Sequence, residues 1–257
     1  MILAFSNLKG GVGKTTSAVN LAAALARSEL GVLLVDLDPQ GSASYSLGVP
    51  GGGDGPGLGD VLADGVPLAE VLWETQIPGL DVACGGADLA RAQMSLARRK
   101  GPTARLREAL APLARRYDFV IVDCPPGLGL LSLVGLGAAR AYVVPTTPQY
   151  LALEALDRFF TALETTEPDL RPRARLLGIL LTMIDHRTHL TEEVCREVRR
   201  RHGGKVFRTE IPINVRLAQA PEYGRSIFDF ASWAPGALAY SRLGAEMLRR
   251  ARRQGLA

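Results

Sequence analysis

Cysteine is scarce: the 257 residues hold three, Cys84, Cys124 and Cys195, with no C-x-x-C pair. An odd, widely spaced set of thiols excludes a disulfide framework and points to a reducing compartment, so a cytoplasmic protein is expected. Histidine is equally sparse, and His186, His189 and His202 lack the spacing of metal ligands. They read as surface residues. No apolar run approaches 18 residues, so no transmembrane helix is expected. The opening Met1-Ile2-Leu3-Ala4 has neither a basic n-region nor a cleavage site, so no signal peptide is expected. Hydrophobic residues make up 47% and charged ones 22%, a balance that disordered chains do not have. At this length one α/β domain, or a domain and a half, can bury a sizeable core.

What the chain does have is uneven charge. Its 30 Lys and Arg against 26 Asp and Glu give a bland net +4. Residues 1–167, however, carry 13 basic and 17 acidic side chains, and residues 168–257 carry 17 and 9. The C-terminal third is therefore a cation of +8 on a body of −4. Such asymmetry suggests a polyanionic partner, nucleic acid or anionic lipid. An arginine-rich solvated surface is the alternative.

Apolar runs at Ile2–Ser6, Val32–Asp36, Leu80–Ala83, Phe119–Asp123, Ala141–Pro145 and Leu176–Met183 read as buried strands, each ended by Gly, Pro or Asp or close to one. Helical patterns lie between them, the first with Ala18, Leu21, Ala22 and Leu25 on one face. This alternation predicts an α/β fold with a mainly parallel twisted sheet and helices on both faces, as a single domain over residues 1–257. A last helix is expected at about Pro235–Arg253, with Tyr240, Leu243, Gly244 and Met247 on one face and Arg242, Glu246, Arg249 and Arg253 on another. Gly48–Gly59 holds seven glycines and two prolines and reads as a flexible surface loop.

The strongest motif is Lys9-Gly10-Gly11-Val12-Gly13-Lys14-Thr15-Thr16, after the first strand and before the first helix, the context a P-loop requires. Glycines let backbone N–H groups curl around a phosphate, and the helix N-terminus adds positive potential. Lys14 would reach the β- and γ-phosphates and Thr15 would bind Mg²⁺. Leu8 stands where the plain pattern has its first glycine, and Lys9 is extra. Taken alone, Lys9 is either a solvated loop charge or a residue that works outside its own loop. Asp36 and Asp38 end the second strand, where carboxylates face the ligand crevice, and Pro39 holds Asp38 extended. A pair of turn and N-cap acids is the other reading. Phe119–Asp123 has the Walker B form, with Asp123 holding Mg²⁺ through a water. Cys124 lacks a nearby His and reads as a small buried thiol.

These segments resemble the deviant Walker A ATPases of the ParA/MinD superfamily, P-loop proteins of the SIMIBI kind, and most closely the Soj-type partition ATPases, almost end to end. The resemblance implies ATP and Mg²⁺ as cofactors and an ATP-dependent sandwich homodimer in which Lys9 crosses to the partner's nucleotide. It implies catalytic roles for Lys9, Lys14 and Asp38, with Asp38 orienting the attacking water and Asp36 supporting the loop. The metal would be held by Thr15, Asp38 and Asp123, and ATP by Lys9–Thr16 with Met183 and Pro212. In Soj-like proteins the arginines at the places of Arg187 and Arg216 contribute to sequence-independent binding of double-stranded DNA; Arg249, Arg250 and Arg253 extend the same cationic third. A ParB-like partner that stimulates slow hydrolysis, and association with the nucleoid, complete the expectation. The family's usual Gln and Glu are Thr147 and Gln149 here, and Ile213 replaces a frequent Arg.

Two further function classes share the P-loop. A MinD-like membrane ATPase needs bulky apolar residues on its last helix, and after Met247 only Leu248 and Leu256 qualify. A metabolic or redox enzyme, an amide ligase or an iron–sulfur protein, is the other; a shared cluster needs a suitable cysteine pair, which Cys84 and Cys124 do not supply. No helix-turn-helix precedes the P-loop, so the class that represses its own operator is not expected.

Overall fold

The computed structural model describes residues 1–50 and 55–256. Among these, seven strands form one sheet: β1 (Ile2–Phe5), β2 (Val32–Asp36), β3 (Leu72–Glu74), β4 (Leu80–Ala83), β5 (Phe119–Asp123), β6 (Ala141–Thr146) and β7 (Arg175–Leu181). Their order is β3-β4-β2-β5-β1-β6-β7. All pairs are parallel except β3 with β4. The six expected strands are all present, within two residues at their ends. The antiparallel edge strand β3 was not expected: it is three residues long, and Trp73 and Glu74 face solvent.

The strands are apolar on both sides because both faces are covered. Along β2, Val32 and Leu34 enter one core while Leu33 and Val35 enter the other. The first core lies under α1 (Lys14–Ala26), the short α2 (Ser42–Ser46), and the C-terminal elements described below. The second lies under α3 (Leu58–Asp64), α4 (Asp88–Leu96), α5 (Arg105–Leu110), α6 (Leu130–Ala138), α7 (Ala152–Glu164) and α8 (His189–His202). Helix α1 is buried nearly all round, since it is sandwiched between the sheet and the C-terminal helix.

The C-terminal elements are α9 (Val215–Gln219), α10 (Ile227–Ala231) and α11 (Pro235–Arg253). Helix α11 starts with Pro at its first position, where the missing N–H costs nothing. Its Tyr240, Leu243, Gly244 and Met247 are buried as expected, and the Tyr240 hydroxyl is satisfied by Ser17 Oγ at 3.1 Å. Gly255, at φ 65°, turns the chain so that Leu256 N–H bonds Ala251 O at 2.9 Å and Leu256 joins the core. Glu246, on the other face with Arg242, Arg249 and Arg253, is nonetheless buried. It accepts bonds from the backbone N–H groups of Arg208 (2.8 Å) and Thr209 (2.9 Å).

The glycine-rich segment 48–59 is a loop only in part, and its residues 51–54 lie outside the described residues. Its end is the start of α3. Gly59 packs so closely on Asp88 that a Cβ there would stand 2.6 Å from the Asp88 backbone. Among the described residues, no helix is long and apolar enough to cross a membrane.

Candidate nucleotide site and cationic surface

Strand register assembles the centre. Asp123 pairs with Phe5 on one side and with Asp36 on the other, so the P-loop, the Walker B acid and the first switch acid leave the sheet abreast. From β1 the chain passes through 6–13 into α1. Gly11 (φ 70°) and Gly13 (φ 79°) adopt left-handed conformations that a side chain would strain, and no side chain caps α1. Its first N–H groups are left for an anion. The loop is held at its root by Asn7, whose Nδ2 donates to Pro145 O at 2.6 Å and whose Oδ1 accepts from Lys9 N at 3.1 Å. From the β7 side, Thr182 Oγ1 donates to Val12 O at 2.9 Å.

Asp123 is fully buried, and neither carboxylate oxygen has a hydrogen-bond partner. Burial, followed by the neighbouring Asp36, pushes its carboxyl well above the usual range, while Thr15 and Lys14 pull it down. A carboxylate in this state costs stability unless a cation or proton accompanies it. The donor set fits Mg²⁺: Thr15 opens α1, Asp38 follows β2, and phosphate oxygens and water complete such ions. Among the described residues no group of three or more His, Cys, Asp or Glu encloses an ion without such help.

Lys14 is buried and donates to Lys9 O at 3.0 Å; burial lowers its pKa, and Asp123, Cys124 and Asp38 oppose the shift. Asp36 is committed to its own loop. Its Oδ2 accepts from Ser44 N and Ser44 Oγ, both at 2.9 Å, and its Oδ1 from Asp38 N at 3.1 Å. Asp36 thus shapes the loop that presents Asp38, and burial raises its pKa despite these bonds. Asp38 is half-buried at the mouth, with one oxygen accepting from Gln40 N at 2.9 Å. Cys124 is buried, its thiol pushed far up by burial, which fits an inert residue. Cys84 and Cys195 are buried and free as well.

Lys9 is exposed, and its amine bonds Gln149 Oε1. Sequence reasoning flagged both residues without foreseeing that they meet. Met183 adjoins the residue that contacts the P-loop. Met183 has φ 55°, a strained state for a non-glycine residue, directly after the Thr182 that braces Val12. Pro212 bridges to Ile184 one residue further on.

The five candidate arginines do not form one surface. Arg216 is exposed on α9, with Nη1 donating to Gln219 Oε1 at 3.0 Å and its guanidinium 5.8 Å over the Trp233 ring. Arg187 is 88% exposed but makes a bidentate pair with Asp185, both bonds at 2.8 Å, which holds the Asp185 carboxyl down at about 2. Arg249 is exposed and lines a groove of about 640 Å³ with Arg208 and Arg242, two cations not singled out for binding from the sequence.

Arg250 is a correction. Its guanidinium stacks on Phe207 at 4.3 Å, pairs with buried Glu246 at 2.9 Å and donates to the carbonyls of Val206 (2.5 Å) and Gly204 (3.1 Å). It is committed to the fold, which argues against the binding role expected of it. Arg253 is exposed but sits at the opposite end of the sheet. Arg175, which opens β7, donates to Gln254 O at 2.9 Å, whereas Arg216 follows the segment paired with the far end of β7. Seven residues of strand separate those ends by roughly 20 Å.

Comparison with known proteins agrees with this geometry. Residues 1–175 match the family model described as an AAA domain. The chain is 46% identical over 248 residues to the chromosome-partitioning ATPase Soj of Thermus thermophilus, covering 96% of this chain and 95% of that one. It is 40% identical over 249 residues to the chromosome partitioning protein ParA of Myxococcus xanthus, covering 97% and 88%. Among solved structures, the cobyrinic acid a,c-diamide synthase of Mycobacterium smegmatis with bound ADP and magnesium superposes with a TM-score of 0.81 at 34% identity, over 99% of this chain and 96% of that one. The cell division ATPase MinD of Pyrococcus furiosus does so with a TM-score of 0.78 at 25% identity, over 96% and 98%. The abreast arrangement of Lys14, Asp36 and Asp123, with identity sustained over nearly the whole length, leads to one conclusion: the chain belongs to the ParA/Soj family of chromosome-partitioning ATPases, within the ParA/MinD superfamily.

Proposed function

We propose that the chain is a partition switch in which Mg-ATP assembles a sandwich dimer that grips duplex DNA without sequence preference. Hydrolysis to ADP and phosphate, accelerated by a ParB-like partner, then takes the dimer apart and releases the DNA. The observation that carries this reading is one of continuity: Pro212, bridged to the Ile184 that follows Met183, and the exposed Arg216 lie on the same short segment, four residues apart. That proximity gives the nucleotide a short path by which to act on the cation.

Within the site, α1's N-terminal N–H groups and the glycines cradle phosphates, and Lys14 exchanges the Lys9 carbonyl for the β- and γ-oxygens. Mg²⁺, when bound, offsets the charge that builds on those oxygens, held by Thr15, Asp38 and Asp123. Asp38 orients the attacking water at the mouth, and Asp36 fixes the backbone that carries it. Lys9 leaves Gln149 and reaches the partner's nucleotide, which makes the dimer dependent on ATP. Two cationic surfaces on one dimer double the phosphate contacts, so affinity and salt dependence both steepen. Arginine reads phosphates and not bases, which suits sequence-independent holding and nucleoid association.

Two observations weigh against the neighbouring functions. Leu248 packs against the core and Leu256 is buried in it, so among the described residues the end of α11 offers a lipid surface no bulky apolar side chain. Identity to the Soj of Thermus thermophilus (46% over 96% of this chain) exceeds that to the diamide synthase (34% over 99%). The test is Arg216→Glu in a duplex-retention assay with Mg-ATP, scored per dimer formed. Retention is expected to collapse, and retention equal to that of the unaltered chain overturns the proposed surface.

A further inference from the structure

Trp233 is 76% exposed, the more exposed of the chain's two tryptophans. An indole left in water at the corner between α10 and α11 gains nothing from burial, so its place calls for another account. Its neighbour supplies one: the Arg216 guanidinium lies over the indole face at 5.8 Å. Packing between the two segments supports the pairing. Asn214 caps α9 by accepting from Leu217 N at 3.2 Å, and Leu217 is buried against Gly236, where a Cβ would stand 2.7 Å from Leu217 Cγ. Only a glycine lets α9 and the start of α11 approach so closely, and that approach brings residue 216 beside residue 233. The guanidinium also donates to Gln219 Oε1 at 3.0 Å.

The geometry points to Trp233 as a positioning residue for nucleic-acid binding: a platform that holds the Arg216 guanidinium flat and facing outward, and that lays its own apolar edge and N–H against the sugar–phosphate backbone of a duplex. This rests on the DNA reading above. A free arginine surrenders much rotamer freedom when it grips a phosphate, and one already stacked on an aromatic face surrenders less. The stack has no charge of its own, so its effect is on affinity and not on the number of phosphates neutralised. The size expected from an exposed cation–π contact is about three-fold per surface. For one duplex held by two surfaces it is about ten-fold.

The test uses the full chain with Mg-ATP, a duplex of mixed sequence, and DNA retention scored per dimer formed. Trp233→Ala is expected to weaken retention about ten-fold while leaving the slope of log affinity against log salt unchanged. Arg216→Ala is expected to lower that slope by about 0.9 for each phosphate left without its cation. Trp233→Phe, which keeps an aromatic face, is expected to restore most of the affinity. In a Trp73→Phe background Trp233 is the only indole, and its emission is expected to change on saturation with duplex. Retention by Trp233→Ala equal to or tighter than that of the unaltered chain, or an emission blind to DNA, overturns the inference. If the unaltered chain retains no duplex with Mg-ATP, the DNA reading itself fails, and the two failures are told apart.

Discussion

The unpartnered Asp123 makes a prediction that needs neither DNA nor a partner protein. In the unfolded chain its carboxyl titrates in the ordinary range; in the folded chain burial and Asp36 raise it well above. Between those two values the folded state keeps a proton that the unfolded state has released. Stability without nucleotide must therefore fall as pH rises through that window, by at most ~1.4 kcal/mol per pH unit. Asp123→Asn has no such proton to lose. The two proteins should melt alike where both groups are neutral, below the ordinary carboxylate range, and the variant should become the more stable as pH rises. At ~2–4 °C per kcal/mol for a chain of this size, the gap should open by up to about 3–6 °C per pH unit. Calorimetric melting at a series of pH values, with no nucleotide or divalent metal, gives the difference curve. Adding Mg-ATP reverses the ranking. At a hundred times its dissociation constant it should stabilise the unaltered chain by ~2.7 kcal/mol, and the variant by much less. Parallel pH curves, or a variant stabilised as fully by Mg-ATP, would refute the account of Asp123.

The arginines of α11 separate by their surroundings. Arg250→Ala strips buried Glu246 of its ion pair and Phe207 of its stacked cation, so a loss of ~2–4 kcal/mol and a fall in Tm are expected. Arg253→Ala should change stability by less than ~0.5 kcal/mol. Equal Tm values would return Arg250 to the surface. Gln149→Glu gives the Lys9 amine an ion pair in place of a neutral acceptor, worth ~0.2–1 kcal/mol at an exposed site. The ATP concentration for half-maximal dimerisation, measured by sedimentation, should rise about 1.5- to 5-fold. An unchanged or lower concentration would show that the intrasubunit contact does not compete with dimerisation.

Strand–loop–helix spacing made the nucleotide machinery readable. A run of four apolar residues ending in Asp123, and a glycine run ending in Lys14, carry their geometry with them because parallel strands end at one edge of the sheet. Apolar alternation likewise exposed six strands and the buried stripe of α11. Short or solvent-exposed pieces escaped: β3 has three residues with no periodicity to detect, and α2 has five. The arginines were the least legible. Arg249 and Arg250 are adjacent and chemically identical, yet one faces solvent and the other fills a buried site, because one helical step turns the side chain by about a quarter of the circumference. The burial of Glu246 was not legible either: its partners, the backbone N–H groups of Arg208 and Thr209, leave no mark in a sequence pattern. The pairing of Arg216 with Trp233 depends on Gly236 admitting Leu217, a contact across chain segments.

The central claim is that nucleotide state controls DNA binding through dimerisation. One surface-bound duplex suffices to test it, with the unaltered chain and Asp38→Ala passed over it in Mg-ATP and then washed with Mg-ADP or with Mg-ATP. Both proteins should load in Mg-ATP. The unaltered chain should not load in Mg-ADP, and Asp38→Ala should stay bound through the Mg-ATP wash because it cannot orient the attacking water. Equal loading in ATP and ADP, or loading by a species that remains monomeric, would contradict the account.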